Sequence, residues 1–384
     1  MNVSRSNKFN LVIDFDKSKN LSLYDKNTDR FFLDFVGMFA SLPLGYNHPV
    51  FHTDEFKEEI LRVSHTKITN CFMGSDESRE FDEVFSKFAP KGYDNIYYCC
   101  TGSLAVESAI KAALETNRIA DPKVVTFGKS FHGLNGWASF ATSRDYPVGK
   151  RLGYSPDNFI IECEETIEAL ELAAKNNNIC AVLVEPIRAT HGDIYFDKTL
   201  LQQIDKFCHD NDIILIVDEV QTGMGVTGTW WYHEQLGITP DIIVFGKKTQ
   251  LSGIMANERA SAIFKQKEKK LEVTWDANLM DMIRCKHILK AYEDYQILQN
   301  VKDRSKQLME GINNPRLKNI RCAGLLVGFD LDSEQERDEF QQECYNHGLL
   351  INSGGEKSIR LRPSLSVNYN EIQKAIGILN HGTH

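Results

Sequence analysis

The sequence predicts an α/β protein, with a large domain built on a mostly parallel sheet flanked by helices and a smaller α+β domain. Three observations carry this. Six short runs, apolar almost throughout, recur between residues 95 and 245, as strands covered on both faces do. Amphipathic stretches separate them, which is the alternation of a parallel sheet. The chain has 384 residues, long for one compact core.

The runs are Asn95–Cys100, Lys123–Gly128, Phe159–Cys163, Cys180–Glu185, Ile213–Asp218 and Asp241–Phe245. Ser103–Thr116 reads as a helix. Leu104, Val106, Ile110, Ala113 and Leu114 form its apolar side, and Glu107, Lys111 and Glu115 repeat every fourth residue on its polar stripe. Thr166–Asn176 and Lys198–Asn211 read the same way. The pattern changes after about residue 276. Met280–Asn313 is largely helical. Gly324–Leu331 and Ser358–Leu365 are strand-like around a helix near Glu334–Asn346, and a last helix follows at Asn370–Leu379. The expected organisation is an N-terminal segment (1–50) with a strand-like Arg30–Val36 packing on the small domain, a large domain (51–275) and the small domain itself (276–384).

Net charge is −9 with no dense Lys/Arg run, which argues against a nucleic-acid partner. No apolar stretch approaches the ~20 residues of a membrane helix. The start, MNVSRSNKFNLVIDF, lacks the apolar core of a signal peptide. The cysteines number nine, an odd count, with no C-x-x-C. That pattern speaks against a disulfide framework or a metal ribbon and for a reducing cytoplasm; no metal is expected.

Four segments carry chemistry. In Ile213–Gly223 (IILIVDEVQTG) an aliphatic strand ends in Asp218 and Glu219, and carboxyl ends of such strands line the ligand crevice. Alone, this is equally a capped strand end with a salt bridge. In Asp241–Gly253 (DIIVFGKKTQLSG) a second strand runs into Lys247 and Lys248. A desolvated lysine loses its proton cheaply and forms imines, although two loop lysines are common. In Cys99–Ala113 a T-G-S turn opens a helix, whose bare N–H groups suit an anion; Gly102 lets backbone approach it, while Ser103 could simply be a cap. Phe131–Gly133 (FHG) puts an aromatic at a strand end, able to stack on a flat ring. Together these supply a phosphate cradle, a stacking ring, an acid and an imine-forming lysine, the requirements of pyridoxal 5′-phosphate (PLP).

With those residues in view, the sequence resembles the class III aminotransferases of PLP fold type I, along nearly its whole length. The nearest members are the lysine ε-aminotransferases and the 4-aminobutyrate aminotransferases. The matching stretches are Phe39–Pro49, Thr101–Lys111, Ser130–Gly133, Val184–Ile187, Asp218–Gly223, Phe245–Gln250, Thr274–Arg284 and Lys357–Pro363. The resemblance implies a Schiff-base lysine at Lys247, with neighbouring Lys248 the second choice. It implies Asp218 on the pyridine nitrogen, Gln221 on the ring's 3-oxygen, Phe131 and Val220 on the two ring faces, and Gly102 and Ser103 on the phosphate. His132 belongs to the same cofactor site as a structural residue. Thr274 would reach the phosphate in a partner subunit, so a homodimer with shared active sites is implied. Arg360, with Arg362 close by, would bind a substrate carboxylate; Arg188 and Phe39 are placed with it on the substrate side.

Three positions depart from the family pattern. An arginine that grips substrate carboxylate is replaced by Leu134. A gating glutamate is replaced by Thr190, and a preceding glutamine by Arg188. The expected reaction moves an amino group from a primary, terminal amine to a keto acid such as 2-oxoglutarate or pyruvate, through a Lys247 imine and pyridoxamine phosphate, with a non-standard substrate. The alternative is another PLP reaction on the same fold: decarboxylation, racemisation or a mutase step.

Overall fold

The computed structural model describes residues 9–143 and 158–381. The first eight residues of the N-terminal segment and the last three of the C-terminal one lie outside them.

Seven strands form the central sheet: β1 (Asn95–Cys99), β2 (Pro122–Phe127), β3 (Ile160–Cys163), β4 (Asn178–Val184), β5 (Ile214–Asp218), β6 (Ile242–Phe245) and β7 (Ser252–Ala256). Their spatial order is β1-β7-β6-β5-β4-β2-β3. β6, β5, β4, β2 and β3 pair in parallel, and β7 runs antiparallel to both neighbours. Six of the seven match expected runs to within a residue or two. β7 was not expected: SGIMA opens with Ser-Gly and holds one β-branched residue, so it shows no strand-like run.

The strands are apolar on both faces because both faces are covered. Ile214 and Ile216 join Val106, Ala109 and Ile110 of helix α1 (Gly102–Thr116) in one core. Leu215 and Val217 point oppositely, into a second core with Leu170, Leu201 and Ile204 from helices Ile167–Asn176 and Lys198–Asp210. Each fully buried aliphatic contributes roughly 1.5–3 kcal/mol. Around β6, Ile243 and Phe245 meet Phe81, Phe85 and Met282 in a third core.

The C-terminal part begins with helices Leu279–Asp294 and Ile297–Gly311, broken at Gln296 by a left-handed residue (φ 50°). A four-stranded sheet follows, in the order Lys318–Ala323, Leu326–Asp330, Ser358–Leu361, Asn352–Gly354. Its flanking helices are Glu334–Asn346 and Tyr369–Leu379. Two of its strands were expected; Lys318–Ala323 (KNIRCA), interrupted by polar residues, and the three-residue Asn352–Gly354 are additions. The N-terminal hairpin Ser22–Asp25/Arg30–Asp34 pairs in parallel with Leu349–Leu350, Leu33 opposite Leu349. Among the described residues, no helix is long and apolar enough to cross a membrane. All nine cysteines are free thiols.

Candidate active site

Parallel strands end on one edge of a sheet, and there the chain gathers its reactive groups. β1 leads through Thr101 into α1. β2 leads to Phe131, β4 to Glu185, β5 to Asp218 and β6 to Lys247. Val244 of β6 lies beside Asp218 in the parallel register, so the lysine loop and the acid are neighbours. A cavity of about 380 Å³ opens on this edge. Its lining includes Gly102, Ser103, Phe131, His132, Leu134, Glu185, Thr190, Asp218, Val220, Gln221 and Lys247.

Lys247 follows extended Gly246 and itself adopts φ 55°, a conformation costly for a side-chain-bearing residue. A Cβ on Gly246 would sit 2.7 Å from Ser252 Oγ, so a side chain there would have to displace that hydroxyl. Burial, then the charge of Arg360, holds the Lys247 ammonium down at about 8. Lys248 turns the other way. It is fully buried, donates to the Gln221 carbonyl, and does not border the cavity. Burial and the Lys247 charge push its ammonium well below the ordinary range.

Asp218 is buried with Oδ2 at 2.9 Å from His132 Nδ1, while Oδ1 accepts from Val220 N at 3.1 Å. His132 Nε2 lies 3.4 Å from Thr126 Oγ1. The imidazole thus bridges the acid and Thr126. Glu219 is turned away and accepts from Tyr232 N and His233 N. Glu185 was not singled out from the sequence. Its Oε2 accepts from Phe131 N at 2.8 Å and its Oε1 from Ala189 N at 3.2 Å. Burial, then the Asp218 charge, pushes its carboxyl up to about 8.

At the other end of the cavity, Thr101 caps α1 through Leu104 N. The Gly102 and Ser103 amides thus stand at the positive end of a 15-residue helix. Ser103 Oγ accepts from Asn135 N at 3.0 Å. These groups fit PLP on the structure's own terms. Gln221 Oε1 is buried in the cavity wall with no hydrogen-bond partner among the described residues, a side-chain amide set to meet a polar ring substituent. A Cβ on Gly102 would lie 3.3 Å from both Val220 methyls, the residue expected against the ring. Gly102→Ala should therefore push on Val220 at a cost of about 1 kcal/mol, read in a PLP titration as roughly fivefold weaker binding.

The substrate side differs from expectation. Arg188 does not reach the cavity. Its guanidinium pairs with Glu165 at 2.6 and 2.9 Å, donates to Gly128 O, and borders a separate space with Glu162 and Glu164. The reason is strand alternation: Ile187 and Arg188 form a two-residue strand against Ile194–Tyr195, so their side chains point oppositely, and Ile187 takes the core. Arg360 is buried, donating to Ala189 O at 2.9 Å and Ser353 O at 3.1 Å. It borders a second cavity of about 1030 Å³, and Thr190 lines both cavities. Arg362 is held by Asp193. Phe39 is 65% exposed and Thr274 is exposed; neither borders the Lys247 cavity of its own chain.

The class-III aminotransferase family model matches residues 3–382. The chain belongs to this family. An L-lysine-epsilon aminotransferase from Streptomyces clavuligerus is 30% identical over 413 residues, 97% of this chain and 90% of that one. An acetylornithine aminotransferase from Bacillus cereus is 28% identical over 378 residues, 96% and 94% of the two chains. Among solved structures, a lysine aminotransferase from M. tuberculosis superimposes with a TM-score of 0.88 at 27% identity, covering 98% of this chain and 95% of that one. This class-III aminotransferase is a PLP-dependent transaminase of fold type I. Bound PLP supplies an aldehyde that condenses with amines and a ring that accepts the electron pair of a deprotonated carbon.

Proposed function

We propose that this transaminase takes its amino group from a primary amine on a terminal carbon, lacking a carboxylate at the Leu134 end, and delivers it to a keto acid such as 2-oxoglutarate or pyruvate. The supporting observation is the charge distribution along the cavity. No arginine borders the Lys247 cavity among the described residues, and Leu134, 56% exposed, occupies its wall. Across Thr190, Arg360 offers a planar guanidinium suited to a carboxylate. Lys247 is the imine-forming lysine and carries the proton between the substrate's reacting carbon and the cofactor. Asp218 keeps a proton on the ring nitrogen, Gln221 meets the 3-oxygen, Phe131 and Val220 bracket the ring, and Gly102 and Ser103 hold the phosphate.

The same reading includes a homodimer in which Thr274 serves the partner's cofactor. Phe72, Met73, Val273 and Trp275 are exposed around Thr274, with Cys71 Sγ 3.6 Å from Val273 O. Such a grouping of apolar side chains suits an interface.

The test is an amine-donor screen on PLP-loaded enzyme, following consumption of 2-oxoglutarate and pyruvate. Terminal amines without a distal carboxylate should outperform lysine and 4-aminobutyrate; a strict preference for the latter two defeats the reading. Arg360→Lys should raise the keto-acid KM roughly tenfold, since a fork-shaped donor becomes a point charge.

A further inference from the structure

Glu185 lines the cofactor cavity and has no part in the chemistry assigned so far, yet two loops from different parts of the chain converge on it. Its Oε2 takes the Phe131 amide at 2.8 Å, from the loop after β2. Its Oε1 takes the Ala189 amide at 3.2 Å, from the turn Ala189–His191 after β4. That turn in turn holds Arg360. Ala189 O accepts from Arg360 Nη1 at 2.9 Å, and Thr190 O accepts from Gly355 N at 2.9 Å. Gly354 leaves the guanidinium its space, because a Cβ there would lie 2.7 Å from Arg360 Nε.

We propose that Glu185 is a positioning residue, its carboxyl tying the ring-stacking loop at Phe131 to the turn that aims Arg360, so that keto-acid recognition is set from the cofactor side of the cavity. The inference rests on the reading of Arg360 as the acceptor's carboxylate site. The physical argument is one of donors and acceptors. Both loops present N–H groups, and a carboxyl offers an acceptor oxygen to each. The side chain is buried, so water does not compensate a lost tie. The charged groups facing it are Asp218 and Lys247. Glu185 thus bonds directly to both walls.

Glu185→Gln sets an NH₂ against one backbone N–H and breaks one tie while keeping size. Glu185→Asp retains both oxygens but withdraws them, and it is read in the same way if the glutamine variant does not load PLP. The expected result is a keto-acid KM raised about fivefold or more, with kcat per bound PLP falling by a smaller factor. A purely structural role would lower the PLP-loaded fraction and kcat while leaving that KM unchanged, and this outcome overturns the proposal. Arg360→Lys is the companion variant. If it leaves the keto-acid KM unchanged, the Arg360 reading fails and the inference falls with it. If it raises the KM while Glu185→Gln does not, the Glu185 link alone fails.

Discussion

Lys247→Met is expected to abolish transamination, cutting turnover roughly 10³-fold or more, because in the proposed function Lys247 is both the imine-forming amine and the group that moves the proton. The substitution keeps an unbranched side chain, one atom shorter, and removes its charge and nucleophile. PLP should still bind without a covalent link, since Gly102, Ser103, Asp218 and Gln221 are untouched. The folded variant should then show the absorbance of the free aldehyde, and borohydride reduction should leave no cofactor attached to the protein. A second consequence runs in the opposite direction. In the cofactor-free enzyme the Lys247 ammonium is held down at about 8 by burial and by Arg360, against 10.5 for the ordinary side chain. The unfolded chain therefore binds the proton more tightly. The folded state is penalised below about pH 8, and the penalty fades as pH rises toward 10.5. Removing the lysine should stabilise the cofactor-free protein at pH 7 by on the order of 1–3 kcal/mol, visible as a raised Tm. A cofactor-free variant less stable than its parent at that pH refutes the account of Lys247. So does a variant that retains a tenth of wild-type turnover.

Asp218→Asn is the second large effect. The amide matches the carboxylate in shape and still meets His132 and Val220 N, so the fold should survive. It cannot supply the negative charge that, in the role proposed for Asp218, keeps a proton on the ring nitrogen. Removing one preorganised electrostatic partner of this kind costs about 10²–10³-fold in kcat. Donor-alone single turnovers should slow by that factor while PLP remains bound. A loss under tenfold would mean that another group holds the ring nitrogen.

The large sheet was legible because its strands are covered on both faces. Ile214–Asp218 and Ile242–Phe245 are continuous aliphatic runs for that reason. β7 was not, since an antiparallel strand squeezed between β1 and β6 can be made of Ser, Gly and Ala. At the site, residue types were legible and side-chain directions were not. Lys247 and Lys248 are adjacent, and the left-handed backbone at Lys247 decides which one faces the cavity. Arg188 was read as a substrate cation from its position beside the site. A two-residue strand turns it to Glu165 instead. Glu185 looked like the last residue of a strand; its partner Phe131 lies 54 residues away in sequence, a separation no local pattern encodes.

The sheet joining Arg30–Asp34 to Leu349–Leu350 has a consequence for how the protein is made. During synthesis the hairpin emerges long before Leu349–Leu350 and waits for its third strand. At about 5–20 residues per second on the ribosome, that interval is on the order of tens of seconds. Throughout it, one edge of the nascent hairpin has no partner, an invitation to pairing with other chains. Leu21 N also reaches Glu371 Oε1 at 3.4 Å, so the same segment gains a further contact from the helix Tyr369–Leu379. A product truncated before residue 349 should thus be captured by chaperones or degraded, even with every residue of the Lys247 cavity already translated.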